Sequence, residues 1–143
     1  MRVNSKIITL RTPEGEQRFR LRKMDAMTGA CLLKFMVEKV SPVLTPLLAG
    51  AEDSAIPAAV EKALPTVLQD LSDEDLRRVM LRCLRHVDME LPAGFHPVYL
   101  REGFGIPELE DDTVTCLRLT YHEILWCMAG FFAASGLLTR EEA

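Results

Sequence analysis

The sequence predicts a mainly α-helical fold, a helical domain that carries a β-hairpin at its N-terminal end. Three patterns predict it: apolar and basic residues that alternate near the start, a capped amphipathic helix in the middle, and a long helix with few charges near the end. The chain has 143 residues, a length that suits one domain. We therefore expect a single domain over residues 1–143, with a hairpin arm at 1–23 and a helical body at 24–143.

The hairpin is predicted from two stretches on either side of a turn signal. Lys6–Leu10 is rich in β-branched and apolar side chains, and Pro13-Glu14-Gly15 is typical of a turn. Phe19 and Leu21 then alternate with three arginines, Arg18, Arg20 and Arg22. A period of two places the apolar pair on one face and the arginines on the other. Because an isolated hairpin is marginal in water, we expect it to dock on the helices or to join a sheet.

Charge is distributed unevenly along the chain. Residues 1–23 contain seven basic and two acidic residues, whereas the rest of the chain contains ten basic and nineteen acidic ones. A basic front on an acidic body fits an acidic partner or the body of a second copy. Nucleic acid is the weaker interpretation, since Phe19 is the one aromatic residue among the basic groups and gives no stacking platform.

The first helical segments are delimited by breakers. A helix is predicted from Asp25 or Thr28 to about Ser41, where Pro42 ends or kinks it. A short helix at Val43–Ala49 is expected next, before a loop. The body therefore starts with two helices joined at a proline.

Two central helices follow. Ala58–Leu71 is predicted to be helical, with an interruption at Pro65. The clearest amphipathic helix is Asp73–Val87, with Ser72 as its N-cap and acidic residues in its first turn. Its apolar residues recur at the spacing of one helical face, so this face is expected to be buried.

The last third of the chain combines an irregular connection with a long helix. Residues 88–112 contain six glycines and prolines, and one short extended piece is expected at Val98–Leu100. A helix is predicted over about Asp112–Ser135. The uncharged run Ile124–Leu138 is fifteen residues long, whereas a membrane span needs about 20. We expect a buried helix or an oligomer interface and no membrane partner.

Residues with catalytic or metal-binding chemistry are scattered. The four that could bind zinc or iron, if a loop gathered them, are His86, Asp88, Glu90 and His96, and a metal site there stays an alternative. A nucleic-acid-binding regulator that uses the hairpin arginines is the other alternative. The four cysteines lie far apart in apolar stretches, which favours free, buried thiols. We predict no catalytic residues and no cofactor.

Four stretches, taken in order, have a layout known from one protein family. They are Phe19–Gly29, where a basic strand runs into a helix start, then Leu32–Leu48, Leu71–Leu76 and Trp126–Phe132. In this order the chain resembles the tail assembly chaperones of long-tailed bacteriophages. The resemblance covers most of the chain and is one of layout.

The resemblance implies a non-enzymatic protein of the host cytoplasm. Such proteins bind the tape measure protein, keep its long apolar helices from aggregating, and help to recruit tail tube subunits. A homo-oligomer is a further expectation, and no nucleic acid is expected as a partner. We expect partner contacts at two groups of residues, on the hairpin and on the last helix: Arg18, Arg20, Arg22, Leu125, Trp126, Phe131 and Phe132.

Overall fold

The computed structural model describes residues 4–50 and 52–135. Four strands and five α-helices follow one another within these residues. Their order is β1 (Ser5–Thr12), β2 (Gly15–Arg22), α1 (Ala26–Phe35), α2 (Ser41–Leu48), α3 (Ile56–Asp70), α4 (Asp73–Leu84), β3 (Val87–Leu91), β4 (Gly94–Pro97) and α5 (Thr113–Ser135). Among the helices described, none combines the length and the apolar character that a bilayer crossing requires.

The largest departure from the predicted fold is a four-stranded antiparallel sheet in the order β1-β2-β3-β4. The hairpin is confirmed, with Ser5–Thr12 paired to Gly15–Arg22. However, the prediction of a mainly α-helical domain with an N-terminal hairpin is wrong, because β3 and β4 extend that hairpin into a mixed α/β fold. β3 joins the hairpin by placing Val87–Met89 opposite Phe19–Leu21.

β3 and β4 lie where the sequence predicted the end of a helix and an irregular connection after it. The predicted helix Asp73–Val87 ends earlier, at Leu84, and Val87 begins β3. The sequence of β3 alternates apolar and acidic residues with the period of a half-buried strand. The turn to β4 is made possible by Gly94, whose φ of 125° is a backbone conformation that side-chain-bearing residues rarely adopt.

The helix starts follow local capping chemistry. Ser72 is confirmed as the N-cap of α4, since its Oγ accepts a hydrogen bond of 3.0 Å from the N–H of Asp75. Asp112 caps α5 in the same way, with its Oδ1 3.2 Å from the N–H of Thr115. These two helices were readable from the sequence because their caps are local.

The prolines disturb the helices less than the sequence predicts. A π-helical segment, Met36–Val40, follows α1, and Pro42 lies in the first turn of α2, where its missing N–H is not needed. The N–H of Ser41 donates a hydrogen bond to the carbonyl of Met36, five residues earlier. This bond closes a turn that is wider than an α-helical turn, just before the proline. Pro65 lies inside α3 without ending it, so the predicted interruption is wrong.

The described residues fall into two compact units. The first comprises 4–25 and 77–127, and the second comprises 26–50, 52–76 and 128–135. In the first unit, one face of the sheet packs against residues of α4 and α5. Its buried core consists of Leu10, Phe19, Leu21, Leu84, Val87, Met89, Val98, Ile106, Leu109, Cys116 and Leu119.

The second unit contains α1, α2 and α3. Among the side chains that the structure describes in these helices and in the π-helical segment, the buried ones are Leu32, Met36, Val40, Ala63 and Val67. The prediction of one domain over residues 1–143 stays a prediction.

Candidate protein-binding surface

The three arginines of β2 lie side by side on the face of the sheet that points away from the core. Their strand neighbours Phe19 and Leu21 are 0% and 1% exposed, whereas the side chains of Arg18, Arg20 and Arg22 keep a third to a half of their surface. The alternation predicted from the sequence is confirmed. We call this surface, formed by the arginines and the β3 residues beside them, the arginine face.

Two acidic residues of β3 pair with these arginines. Asp88 Oδ2 accepts hydrogen bonds from Nε of Arg20 at 2.9 Å and from Nε of Arg22 at 3.0 Å. Glu90 is bound by Nη1 of Arg18 at 3.0 and 3.1 Å. The side chain of Asp88 is 4% exposed and that of Glu90 37%, so the two pairings differ in burial.

Further contacts fix the orientation of the guanidinium groups. Arg20 lies over the ring of Phe95, 4.5 Å from its centroid. Nη2 of Arg22 donates to the carbonyl of Arg85 at 2.8 Å. The arginine face is therefore an ordered surface of mixed charge. Because carboxylates already neutralise much of its positive charge, this arrangement gives little support to the nucleic-acid alternative.

The outer strand β1 borders the arginine face. Ser5, Ile7 and Thr9 are exposed on the same side of the sheet as the arginines, and Ile7 keeps 45% of its surface. An exposed apolar residue on an edge strand is a feature that proteins use for pairing with other chains. The face and its edge together form the candidate surface.

The second predicted surface, at the end of α5, has a different environment. Trp126 packs against the core of the first unit, and Nζ of Lys23 lies 4.5 Å from its ring centroid. Leu125 is partly buried. The structure does not describe the side chains of Phe131 and Phe132. A role of these four residues in binding stays a prediction.

The alternative of a metal site at residues 86–96 finds no support in the geometry. Asp88 and Glu90 are held by arginines, whereas His96 lies opposite Met89, on the other face of the sheet. Nδ1 of His86 is 2.8 Å from the carbonyl of Arg82. Within the described part of the chain, no group of three or more histidine, cysteine and acidic residues could hold a metal ion.

The carboxyl group of Glu123 lies in the interior of the first unit. Glu123 on α5 is fully buried, and its Oε2 accepts a hydrogen bond from Sγ of Cys127 at 3.3 Å. Burial raises the pKa of Glu123 to about 8, against the opposing effects of Cys127, Arg22 and Lys23. Its Oε1 finds no hydrogen-bond partner among the described residues. At neutral pH this carboxyl is mainly protonated and uncharged.

The thiols nearby are not activated for nucleophilic chemistry. Burial raises the pKa of Cys127 and that of Cys116 to about 11, and it raises the pKa of Cys83 well above its usual value. The thiolate is the reactive form, and it is scarce at neutral pH for such groups. Cys31, in contrast, is exposed, so the prediction of buried thiols is wrong at that position.

Sequence reasoning missed Asp88 and Glu90 as the partners of the arginines. A signal was present, because Val87–Leu91 alternates apolar with acidic residues just as β2 alternates apolar with basic ones. It missed the burial of Glu123 as well. No local pattern marks that residue apart from the scarcity of charge around it in α5.

Comparison with known proteins gave one match. The sequence model of a family described as "Phage tail assembly chaperone protein, TAC" matches residues 15–137. Neither the curated proteins nor the solved structures contained a match to this chain. The matched region starts at the first residue of β2 and includes α1 to α5.

Proposed function

This chain belongs to the phage tail assembly chaperone family, and from that premise we propose that it binds the tape measure protein of its phage. Binding keeps the long apolar segments of that protein from aggregating while the tail assembles. The family match over residues 15–137 is the observation that carries the proposal. The work is done by binding, without a covalent step, in the host cytoplasm, and recruitment of tail tube subunits follows it.

The arginine face supplies the proposed contact surface. Arg18, Arg20 and Arg22 are ordered by their carboxylate partners before a client arrives, so little side-chain entropy is lost on binding. Arginine is favoured at protein interfaces, because its planar group makes several hydrogen bonds at once. The proposal includes a second contact by Leu125, Trp126, Phe131 and Phe132 and self-association of the chaperone.

Co-expression tests this function directly. The tape measure protein encoded by the same phage is produced with and without the chain, and its soluble fraction and its co-elution with the chain are measured. We expect soluble tape measure protein in a stable complex only when the chain is present. A tape measure protein that is equally soluble alone, or that never co-elutes with the chain, would contradict the proposal.

A matched pair of variants tests the surface. The ion pair of Arg18 with Glu90 is exposed at both ends, so Arg18→Ala should leave stability almost unchanged. We expect it to weaken capture of the tape measure protein several-fold. Arg77→Ala, which removes an exposed arginine of α4, is the control and should bind like the wild type. Equal capture by both variants would show that the arginine face is not the contact surface.

A further inference from the structure

One edge of the sheet is β1, and its register with β2 determines which of its backbone groups point outward. Opposed residues of an antiparallel pair alternate between those that exchange hydrogen bonds and those whose N–H and C=O groups point outward. The N–H of Lys23 donates to the carbonyl of Asn4 at 3.0 Å, so these two residues form a bonded pair. Alternation along the register then gives the outward positions of β1 as Ser5, Ile7, Thr9 and Arg11.

Two other contacts agree with this assignment. Arg22, which lies opposite Ser5, donates its N–H to the carbonyl of His86, on the side away from β1. The carbonyl of Arg11 accepts a hydrogen bond of 3.3 Å from Nη1 of Arg118, which reaches it from outside the hairpin. The open edge therefore runs over residues 5–9, and no described strand lies beyond it.

We propose that an extended segment of the client protein adds to this edge as a fifth strand, with apolar side chains beside Ile7 and Ile8 and an acidic side chain beside Lys6. The inference rests on the proposed function and names how the client is held. Backbone hydrogen bonds to Ile7 and Thr9 provide affinity in such strand addition, and side chains provide selectivity. A strand of about five residues spans about 17 Å, which matches residues 5–9.

The side chains of β1 determine the chemistry of the added strand. Ile7 is exposed on the arginine face and Ile8 is partly buried on the core side, so each offers an apolar neighbour. Both charged residues of β1, Lys6 and Arg11, are basic. A segment with acidic residues complements them. A second copy of β1 fits less well, since it would bring two more basic residues and no acidic one.

A proline substitution tests the edge. Thr9→Pro removes an N–H that points away from β2, so the bonds within the hairpin are kept, and proline is tolerated on edge strands. We expect it to weaken capture of the tape measure protein by about tenfold or more, because a backbone bond is lost and the edge is blocked. Thr9→Val keeps the N–H and should bind like the wild type. Equal capture by the two variants overturns the inference.

Amide hydrogen exchange in the wild-type chain gives a test that needs no variant. In the free chain, the amides of Ile7 and Thr9 should exchange faster than those of Ile8 and Leu10, which bond within the hairpin. In the complex with the tape measure protein, exchange at Ile7 and Thr9 should slow at least about tenfold, with little change at Ile8. Unchanged exchange at Ile7 and Thr9 in a formed complex overturns the inference and leaves the proposed function standing.

Charge reversal tests the acidic character of the client segment. Lys6→Glu should weaken capture several-fold, whereas Lys62→Glu, on an exposed position of α3, should not. Equal effects would overturn the assignment of an acidic segment. Protection of Ile7 and Thr9 that rises with the concentration of the chain alone would identify a second copy as the occupant. A wild-type chain that captures no tape measure protein overturns the proposed function itself.

Discussion

The two edges of the sheet differ in what they offer to another chain. β1 is eight residues long, and its outward positions include Ile7 and Thr9, which keep their N–H groups. β4 is four residues long, and one of its outward positions is Pro97, which has no N–H. The backbone of Gly105 lies against the carbonyl of Pro97, where an added Cβ would come within 2.5 Å of the oxygen. The β4 edge is blocked at Pro97, whereas no described strand lies beyond β1.

The open edge at β1 belongs to a firmly held part of the molecule. A strand that is already ordered pairs with a client without the entropic cost of becoming ordered on binding. β1 is held by β2, which in turn is held by the core and by β3. Substitutions on the two sides of the sheet measure how firmly each side is held.

The anchoring of the hairpin gives the largest effect. Phe19→Ala removes a fully buried ring from the core, and we expect the free energy of unfolding to fall by about 3–5 kcal/mol. Ile7→Ala, on the exposed side of the hairpin, should change it by less than about 1 kcal/mol. Urea denaturation measures both. A loss below about 1 kcal/mol for Phe19→Ala would mean that the core does not hold the hairpin.

The buried carboxyl of Glu123 makes the stability of the folded chain depend on pH. The pKa of Glu123 is raised in the folded chain to about 8, so the folded state holds a proton that the unfolded state has lost above about pH 4.5. The contribution of Glu123 to the free energy of unfolding is therefore fully present below about pH 4.5. It decreases as the pH rises to about 8, by up to about 1.4 kcal/mol per pH unit.

Glu123→Gln isolates this contribution. The variant cannot titrate at this position, so its free energy of unfolding should fall less steeply than that of the wild type between about pH 5 and pH 8. Cys83 and Cys127 stay protonated over this range, because burial raises both their pKa values. The groups that act on Glu123 by charge are Arg22, Lys23 and Asp88. Parallel pH profiles for variant and wild type would refute the assignment.

The closure of the β4 edge is tested at a glycine. Gly105→Ala places a methyl group against the carbonyl of Pro97, and the backbone must move to accept it. We expect a loss of about 1–3 kcal/mol in the free energy of unfolding. Gly103→Ala is the matched control, since its added Cβ would meet no atom within 4 Å. Equal stabilities of the two variants would show that this edge is less tightly closed than the contact indicates.

The smallest effect concerns the pairing between β2 and β3. Asp88→Asn removes the charge that Arg20 and Arg22 share, and we expect a loss of about 1–2 kcal/mol, because Asp88 is almost fully buried. Glu90→Gln, in an exposed pair, should cost less than about 1 kcal/mol. Thermal unfolding at two salt concentrations measures both. A larger loss for Glu90→Gln would reverse the ranking that burial predicts.

The family and several local elements were readable from the sequence. The hairpin, the cap at Ser72, the start of α5 and the alternation of Phe19 and Leu21 with arginines are all confirmed. The family is confirmed by the match over residues 15–137. Each of these depends on residues close together in the chain or on a layout along it, so a single sequence contains the information.

The pairing of β3 with β2 was decided by the tertiary structure. Val87–Leu91 had a strand pattern, but it followed a helix without a clear stop and preceded several breakers, so the local signals competed. Asp88 and Arg20 are 68 residues apart in sequence, and no local rule brings them to 2.9 Å. The same holds for Glu123, because the charged groups that act on it, Arg22, Lys23 and Asp88, lie far from it in the sequence.

Local patterns in the sequence suffice to predict which faces are apolar, where several helices begin and which family the chain belongs to. The pairing of the arginines with carboxylates and the difference between the two sheet edges arise only in the fold. Periodicity and capping act over a few residues, whereas hydrogen bonds between strands and the burial of charge depend on which distant segments meet.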